Sequence, residues 1–584
     1  MTLRVRWLGR VGYDEALALQ RALVTSSDDH LLLLEHPPIY SLGVRADLGD
    51  VLVAPASVGA ELVRSDRGGQ VTYHGPGQLV AYPVLSVPGR RGGGMADTVA
   101  YVHSLEQLVI DVLGDLGLSG AGRDDRHRGV WIAGAKICAV GVRLARSRSM
   151  HGFALNVDSD LAAFDHIVPC GLPDGKVTSL AALGLDVTMA QVVDAVVARA
   201  TERWGANGWE RQDVTGPSAS SSDLGSLGGH VGSLEGLASD ASKGTPVRLT
   251  SRLAAAGVGP GLDRTARKPP WLRAPARLGS QYRGLERTVR DLGLTTVCEE
   301  AGCPNIFECW AEGTATFMIN GERCTRACGF CLVDTRHPQA LDAGEPERVA
   351  EAVARLGLGH AVVTAVARDD LDDGGAGAFV ATMAAIRARV PGCTVEVLIP
   401  DCKGDAEALA RLFAARPDVC NHNLETVARL QRAVRPSAGY ARSLAVLARA
   451  KAAGLVTKSG LIVGMGETDD EVVGALGDLA GVGVDIITIG QYLRPTARHL
   501  PVARWVEPVI FDHLRQRGLA LGIGHVESSP LTRSSYHARR ALATASAAGL
   551  VALGSASTGH AELAPAALGP AGHRIDEAAG KVAP

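Results

Sequence analysis

The sequence predicts an α+β domain with a largely antiparallel sheet, followed by an α/β domain that forms a partial (β/α)6 barrel. Ser, Gly and other small residues dominate residues 215–244, and such a composition buries too little surface to offset chain entropy. Helices and strands are mixed before this stretch, whereas six short β-branched runs alternate with helical patterns after it. The predicted domains are 1–212 and 246–540, with a flexible linker at 213–245 and a disordered tail at 541–584.

Composition excludes several classes of function. The net charge is −3 over 584 residues, so no basic excess favours nucleic acid or an anionic membrane. The N-terminus lacks an apolar core with a cleavage site, and the uncharged run at 541–560 is too weakly apolar to span a membrane. Eleven cysteines, an odd and clustered number, indicate reduced thiols. We therefore expect a cytoplasmic protein whose partners are proteins or small molecules.

The first domain shows clear element signals. Helical patterns, the first with Asp14 as a possible N-cap, cover Asp14–Thr25, Thr98–Leu116 and Thr188–Trp204. Predicted strands are Leu31–Leu34, Gly129–Ala133, Lys136–Leu144 and Met150–Val157.

A glycine-rich loop in this domain is the first candidate site. The segment RGGQVTYHGPGQ, residues 67–78, has four glycines and a proline in twelve positions, which forces a tight backbone able to approach a ligand. Cys170 lies in a Pro-Cys-Gly turn, and a thiol there becomes a nucleophile when a cation or base lies beside it. By residue type the partners are Lys136, His74, His151 and His166, and the sequence does not choose among them.

Four stretches together resemble lipoyl(octanoyl) transferase over most of residues 1–210: RGGQVTYHGPGQ, GAKICAVGVR, HGFALNV and PCGLPDGKVTSL. The resemblance implies the fold of biotin and lipoate protein ligases. It also implies that Cys170 takes an octanoyl group from octanoyl-acyl carrier protein as a thioester, that Lys136 lowers the thiol pKa, and that the acyl chain passes to a lysine of a lipoyl domain. The implied acyl site comprises Arg67, Gly68, Gly69, Gln70, Val71, Thr72, Tyr73, His74, Ala139, Val140, Gly141, Gly152, Phe153 and Ala154. An ATP-dependent lipoate ligase is the alternative.

Six cysteines fall within residues 298–331, CEEAGCPNIFECWAEGTATFMINGERCTRACGFC. They form two triplets, Cys298, Cys303 and Cys309 as CxxxxCxxxxxC, then Cys324, Cys328 and Cys331 as CxxxCxxC. Each triplet supplies three thiolates, which suit iron–sulfur clusters or zinc. A structural zinc site normally has a fourth ligand nearby, and a cluster on three cysteines leaves one iron open. A non-catalytic zinc module remains the alternative.

The CxxxCxxC element resembles the radical S-adenosylmethionine superfamily, and with the upstream triplet and RSSY (533–536) it is similar to lipoyl synthase. The resemblance implies two [4Fe-4S] clusters and S-adenosyl-L-methionine, with Ser535 as fourth ligand of the auxiliary cluster. It further implies that a 5′-deoxyadenosyl radical abstracts hydrogen at C6 and C8 of a bound octanoyl chain, and that the auxiliary cluster donates the sulfur. A methylthiotransferase is the rival radical enzyme, against which RSSY argues.

The barrel strands are predicted from short β-branched runs. In TIM-type barrels chemistry lies at the carboxyl ends of the strands, where the loops ARDDLDDGGA, NHNLETV and GMGET follow the second, fourth and fifth strands. They look like lipoyl synthase motifs that hold S-adenosylmethionine and the peptide substrate, so Arg368, Asp370, Asn423, Glu425 and Glu467 are candidate contacts. The predicted strands are Ala315–Ile319, Ala361–Val366, Thr394–Ile399, Val419–Asn423, Thr457–Val463 and Asp485–Ile489.

Together the two resemblances imply one pathway on one chain. The octanoylated lipoyl domain made by the first domain is the substrate of the second, and a tether raises its effective concentration there. The implied partners are lipoyl domains of 2-oxoacid dehydrogenases, the glycine cleavage H protein, and an electron donor such as ferredoxin or flavodoxin. Cys393, Cys402 and Cys420 lie outside both triplets and are assigned to structure.

Overall fold

The computed structural model describes residues 1–87, 89, 96–124, 127–145, 147–168, 176–214, 246–263, 265–273, 280–300, 303–311 and 314–544. Cys170 lies outside the described residues, as do the predicted linker after residue 214 and the predicted tail after residue 544.

The first domain is built on an eight-stranded sheet with a smaller three-stranded sheet beside it. Its elements are β1 (Leu3–Arg10), α1 (Tyr13–Leu23), β2 (Asp29–Glu35), β3 (Ile39–Leu42), β4 (Glu61–Arg64), β5 (Val71–His74), β6 (Gln78–Val84), α2 (Thr98–Asp115), β7 (Gly122–Arg123), β8 (Val130–Ile132), β9 (Ala135–Ala145), β10 (Arg148–Asn156), α3 (Met189–Trp204) and β11 (Trp209–Asp213). The strand orders are β11-β1-β2-β6-β10-β9-β8-β7 and β4-β3-β5.

The predicted α+β architecture is confirmed, with differences in detail. The large sheet is antiparallel from β2 to β7 and parallel only where β1 meets β2 and β11. Asp14 is not the N-cap of α1, since Gly12 holds that position and Asp14 lies in the first turn near the positive end of the helix dipole. The four predicted strands correspond to β2, β8, β9 and β10, whereas β1, β6, β7, β11 and the small sheet, whose strand β3 is only four residues long, were not predicted.

The second domain alternates strands and helices. Its elements are α4 (Val247–Ala255), α5 (Ser280–Asp291), β12 (Thr295–Thr296), α6 (Val297–Glu300), α7 (Ile306–Ala311), β13 (Thr316–Ile319), α8 (Glu345–Arg355), β14 (His360–Ala365), α9 (Ala376–Arg389), β15 (Thr394–Leu398), α10 (Ala406–Ala414), β16 (Val419–Asn421), α11 (Gln431–Val434), α12 (Tyr440–Ala452), β17 (Thr457–Val463), α13 (Asp469–Gly481), β18 (Ile486–Gln491), α14 (Pro508–Ala520) and β19 (His525–Ser528).

These strands form one eight-stranded sheet in sequence order from β12 to β19. All neighbours from β13 to β19 are parallel, and β12 is antiparallel to β13. The partial barrel is therefore confirmed, and the six predicted strands correspond to β13–β18. One parallel strand, β19, was missed because His525–Ser528 is short and largely polar.

The two domains pack against each other, although the length of the predicted linker suggested that they reorient. A single buried apolar cluster contains Leu19 and Leu23 of α1 together with Leu444 of α12 and Leu476 of α13. Within the described ranges, no helix combines the length and apolar character needed to cross a membrane.

Candidate active sites

The glycine-rich loop of the first domain is held between β3 and β9. The buried Arg67 guanidinium donates to Ser41 Oγ at 2.8 Å and to the Ser41 carbonyl at 2.6 Å. The Gly68 N–H donates to the Val142 carbonyl at 3.0 Å, and a Cβ at Gly141 would lie 2.9 Å from the Gly68 oxygen. Strand β9 thus requires glycine at position 141, because the backbone of the loop lies directly on it. Arg67 positions this loop through β3.

The predicted acyl-site segments meet around one cavity. Strands β9 and β10 pair Ala139 with Ala154, Val140 with Phe153 and Gly141 with Gly152. A Cβ at Gly152 would lie 2.2 Å from the Ala81 oxygen, so β6 lies close against this position. The cavity is lined by Thr72, Gln78, Lys136, Ala139, Ala154, Asn156, Phe164 and Val177.

A neutral hydrogen-bond network supports one wall of this cavity. His74 Nδ1 lies 2.7 Å from Gln78 Oε1, and Gln78 Nε2 donates to Asn156 Oδ1 at 2.9 Å. Asn156 Nδ2 donates in turn to the Thr178 carbonyl at 3.0 Å. Sequence reasoning missed Gln78 and Asn156 as site residues, although each ends a stretch already singled out.

The three candidate histidines have other partners. Burial, with the nearby His36 and Arg67, lowers the pKa of His74 well below its ordinary value, so its ring is neutral at pH 7. His151 Nε2 lies 2.7 Å from Asp66 Oδ1, and His166 Nδ1 lies 2.8 Å from Tyr40 Oη. Among the described residues, the cavity lining includes Lys136 and none of these histidines.

The backbone of Lys136 is hydrogen-bonded to residues 176 and 178, which follow the segment that contains Cys170. Its N–H donates to the Lys176 carbonyl at 2.8 Å, and its carbonyl accepts from the Thr178 N–H at 3.0 Å. Lys136 Nζ lies 4.8 Å from the centre of the Trp131 ring, a cation–π contact. Of the four cations or bases considered for Cys170, Lys136 is the one bonded to the backbone that follows residue 175.

In the second domain, the CxxxCxxC loop follows β13 at the carboxyl edge of the sheet. Arg326, between the first two cysteines, binds Asp369 after β14 at 2.7 Å and Asp401 after β15 at 2.6 Å. The Gly329 N–H donates to the Val434 carbonyl at 2.9 Å. Buried charge therefore ties the loop to two neighbouring strands, and sequence reasoning missed both Arg326 and Asp401. The signal available for Asp401 was its position directly after a predicted strand.

The thiols of this loop suit a cationic cluster. Burial, together with the nearby Cys328 and Cys324, raises the pKa of Cys331 to about 12. Burial likewise raises the pKa of Cys328. Metal binding requires deprotonated thiols, so these closely spaced thiols fit a bound iron cluster, whose positive charge favours the thiolates. As they stand, the described His, Cys, Asp and Glu side chains form no group of three arranged to hold a metal.

The RSSY segment lies beside the upstream triplet. Asn305 Nδ2 donates to the Leu531 carbonyl at 2.7 Å, and Tyr536 Oη donates to Glu308 at 3.2 Å. The half-buried Arg533 is near enough to Cys303 to oppose the rise that burial causes in its pKa. Residues 531–536 thus approach Cys303 and helix α7, which contains Cys309, and this brings Ser535 to the same region. Cys298 lies in α6.

The other predicted contacts divide into two groups. Arg368 pairs with Asp370 at 2.8 Å, and Glu467 accepts from the N–H groups of Gly464 and Met465, so these side chains hold their own loops. Asn423 Nδ2 instead donates to Glu425 Oε1 and Ser534 Oγ, both at 3.0 Å. Asn423 Oδ1 is buried and has no hydrogen-bond partner among the described residues. Asn423 and Glu425 therefore lie beside the RSSY segment.

The remaining thiols of the second domain pack in its core. Cys393, Cys402 and Cys420 are free and buried. Burial raises the pKa of Cys402 to about 12. They are inert small apolar side chains, as predicted.

Comparisons with known protein families match both domains. Residues 12–201 match the lipoyl protein ligase A/B catalytic domain. Residues 260–303 match the N-terminal domain of lipoyl synthase, and residues 318–479 match the radical SAM superfamily. The parallel sheet with three thiols in the loop after its first parallel strand is therefore a radical S-adenosylmethionine domain.

Relatives of known function define this domain further. Lipoyl synthase of Rubrobacter xylanophilus is 58% identical over 273 residues, which cover 46% of this chain and 85% of the relative. Lipoyl synthase of Mycobacterium tuberculosis is 55% identical over 274 residues, covering 47% of this chain and 88% of the relative. The chain belongs to the lipoyl synthase family, and it carries in addition an N-terminal catalytic domain of the lipoyl protein ligase type.

Solved structures resemble each domain separately. A lipoate-protein ligase A bound with ATP is 18% identical in sequence, and the match covers 37% of this chain and 90% of the ligase chain with a TM-score of 0.32. Methylornithine synthase is 16% identical in sequence, and the match covers 43% of this chain and 79% of the synthase chain with a TM-score of 0.30.

Proposed function

We propose that this chain carries out two successive steps of protein lipoylation. The first domain transfers an octanoyl group from octanoyl-acyl carrier protein to a lysine of a lipoyl domain, and the second inserts sulfur at C6 and C8 of that chain. One observation carries the proposal: a ligase-type cavity at Lys136 and the cysteine loops of a lipoyl synthase occur on one chain. The product of the first reaction is the substrate of the second.

The transfer reaction uses Cys170 and Lys136. The Cys170 thiolate attacks the octanoyl thioester carbonyl, and the carrier protein leaves as a thiolate. The lipoyl-domain amine then attacks the enzyme thioester, an amide forms, and the Cys170 thiol is released with the proton from the amine. The Lys136 ammonium stabilises the thiolate, because a neighbouring positive charge lowers a thiol pKa. The close approach of β9, β10 and the glycine-rich loop excludes water that would hydrolyse the thioester.

In the second domain, Cys324, Cys328 and Cys331 hold one [4Fe-4S] cluster, and Cys298, Cys303, Cys309 and Ser535 hold another. When bound, these clusters supply an electron for cleaving S-adenosylmethionine and sulfur for the product. Arg326 positions the first cysteine loop through Asp369 and Asp401. Asn423 offers a buried amide oxygen beside the RSSY segment, to which an N–H or O–H group of S-adenosylmethionine or of the peptide would donate a hydrogen bond.

The intact mass of an apo lipoyl domain tests the proposal. The domain is incubated anaerobically with this protein, octanoyl-acyl carrier protein, S-adenosylmethionine and a strong reductant, without ATP. We expect the lipoyl mass. An octanoyl mass alone supports the transferase and contradicts an active synthase.

A second arm of the experiment addresses the ligase alternative. Free octanoate and ATP replace octanoyl-acyl carrier protein, and Cys170→Ala is compared with the unaltered chain. Modification only in this arm, retained by Cys170→Ala, identifies an ATP-dependent ligase. Modification only from the carrier protein, lost in Cys170→Ala, identifies the thioester route.

A further inference from the structure

The surface between the two domains carries a buried ion pair. Arg6 of β1 and Asp478 of α13 are separated by 472 positions in sequence, and Arg6 Nε lies 2.8 Å from Asp478 Oδ2. Their side chains are only 2% and 5% exposed. Tyr440 Oη of α12 donates to the same carboxylate at 2.7 Å. Burying two charges is costly unless their geometry and hydrogen bonds are good, so this pairing requires one specific alignment of the domains.

Glycines on α13 allow the first domain to approach its backbone. A Cβ at Gly474 would lie 1.7 Å from Gln212 Nε2, and one at Gly477 would lie 2.1 Å from Arg4 Nη1. Arg4 cannot move freely, because it pairs with Asp28 at 2.9 Å and Glu210 at 2.6 Å. Glycine inside a helix lowers its stability relative to alanine, and the close contact with the first domain explains glycine at these two positions of α13.

Apolar packing and a second ion pair extend the contact along α1. Ala16, Leu19 and Leu23 belong to the buried cluster that includes Leu444 and Leu476 of the second domain. Glu15 accepts from Arg442 Nε at 2.6 Å. The contact therefore combines a buried apolar core, buried charge and close backbone approach, which are the features of specific interfaces.

Helix α1 contacts the first candidate site and is linked to the second through Glu15 and Arg442 of α12. Tyr13 Oη donates to Ser65 Oγ at 2.7 Å, next to the glycine-rich loop, and Gln20 Oε1 accepts from the His151 N–H at 2.7 Å. On its other side, Arg442 lies 3.9 Å from Asp401, which binds Arg326 of the cysteine loop. The interface thus lies between the acyl cavity and the cysteine loop.

We infer that the two catalytic domains are docked in one fixed orientation by the α1, α12 and α13 surface, and that this surface, rather than the linker, holds them together. This goes beyond the proposed reactions and does not depend on them, because association is measured without substrate. A lipoyl domain then binds in turn at the acyl cavity and at the cysteine loop, and the distance between these two sites is constant.

The test separates the domains covalently. A protease site is inserted within residues 215–245 of the full chain, the protein is cleaved, and the association of the halves is measured by analytical ultracentrifugation over a dilution series. We expect the halves to remain together at micromolar concentration. Separation of the unaltered halves at that concentration overturns the inference.

Two variants identify the contacts responsible. Asp478→Ala removes a charged hydrogen-bond partner from Arg6 and weakens association roughly tenfold to a hundredfold. Its control, Asp512→Ala, removes an exposed carboxylate of α14 that pairs with Arg515 and leaves association unchanged. Gly477→Leu separates the halves, whereas Gly114→Leu, at a helical position where a Cβ meets nothing within 4 Å, does not. Equal behaviour of each variant and its control contradicts the inference.

A double substitution guards against a folding artefact. In Asp478→Ala the buried Arg6 guanidinium loses its partner in the second domain and keeps Glu210 at 2.6 Å. Arg6→Met combined with Asp478→Leu removes both charges of the pair, and it recovers association relative to Asp478→Ala because no buried charge has lost its partner across the interface. Circular dichroism of each cleaved variant checks that helix content is retained. A double variant that binds no better than Asp478→Ala rejects the role of the ion pair.

Discussion

The two candidate sites are supported in opposite ways. One wall of the acyl cavity is a neutral network, with His74, Gln78 and Asn156 linked by hydrogen bonds. At the cysteine loop the supporting side chains are charged, with Arg326 shared between Asp369 and Asp401. A neutral network tolerates loss of one member better than a buried charge does, since an unpaired charge is far more costly to bury. The comparison therefore predicts different responses of the two domains to substitution and to pH.

Substitution of single cysteines gives the largest expected effects. Cys170→Ala lowers octanoyl transfer by more than about a thousandfold, because the nucleophile is lost. Cys328→Ala leaves octanoyl transfer intact and abolishes sulfur insertion, so the octanoylated domain accumulates in the mass assay. The control Cys420→Ala, at a buried core thiol, retains both products. An unaffected product pattern in Cys328→Ala contradicts the cluster assignment.

Loss of Arg326 tests the charged support. Arg326→Met leaves the fully buried Asp401 without its main partner and lowers the free energy of unfolding by about 3–5 kcal/mol. Chemical denaturation of the full chain measures the change in the free energy of unfolding of the second domain. The iron content of the purified protein measures cluster binding. Arg336→Met, at an exposed arginine that pairs with Asp334, leaves both quantities unchanged. Similar losses in the two variants refute a special role of Arg326.

Acid sensitivity compares a buried histidine in each domain. Burial lowers the pKa of both His36 and His422 to about 4. The unfolded chain binds a proton near pH 6.5 that the folded chain binds only near pH 4, so stability is lost as the pH falls through this window, by about 3 kcal/mol per histidine.

Glutamine at either position removes the titrating ring. We expect His36→Gln to flatten the pH dependence of the first domain's melting temperature and His422→Gln that of the second. Calorimetry between pH 7 and pH 4 measures both slopes. If the slope of melting temperature against pH in each variant equals that of the unaltered protein, protonation of His36 and His422 does not cause the loss of stability in acid.

Helix caps give the smallest expected effect and one that is equal in the two domains. Thr188 caps α3 and Thr468 caps α13, each in a capping box with the residue three positions later. Thr188→Ala and Thr468→Ala each lower stability by about 1 kcal/mol. A much larger loss for Thr468→Ala indicates that the start of α13 also supports the domain interface.

The motifs could be read from the sequence because they are local. The glycine-rich composition of RGGQVTYHGPGQ indicates a tight backbone, and the cysteine spacings indicate two triplets of candidate ligands. The barrel strands were also recognisable, since short β-branched runs stand out between helical patterns. Short polar strands such as β19 carry no such signal.

Long-range pairing was decided only by the tertiary structure. No local pattern links Arg326 to Asp401, Asn305 to Leu531, or Arg6 to Asp478, because each pair joins segments separated by 75 to 472 positions. From sequence alone a charged residue is predicted to be exposed to solvent, because only the fold shows that it is buried beside a partner. The sequence alone therefore determined which protein family each domain resembles, while the tertiary structure decided which charges hold the loops and how the two domains face each other.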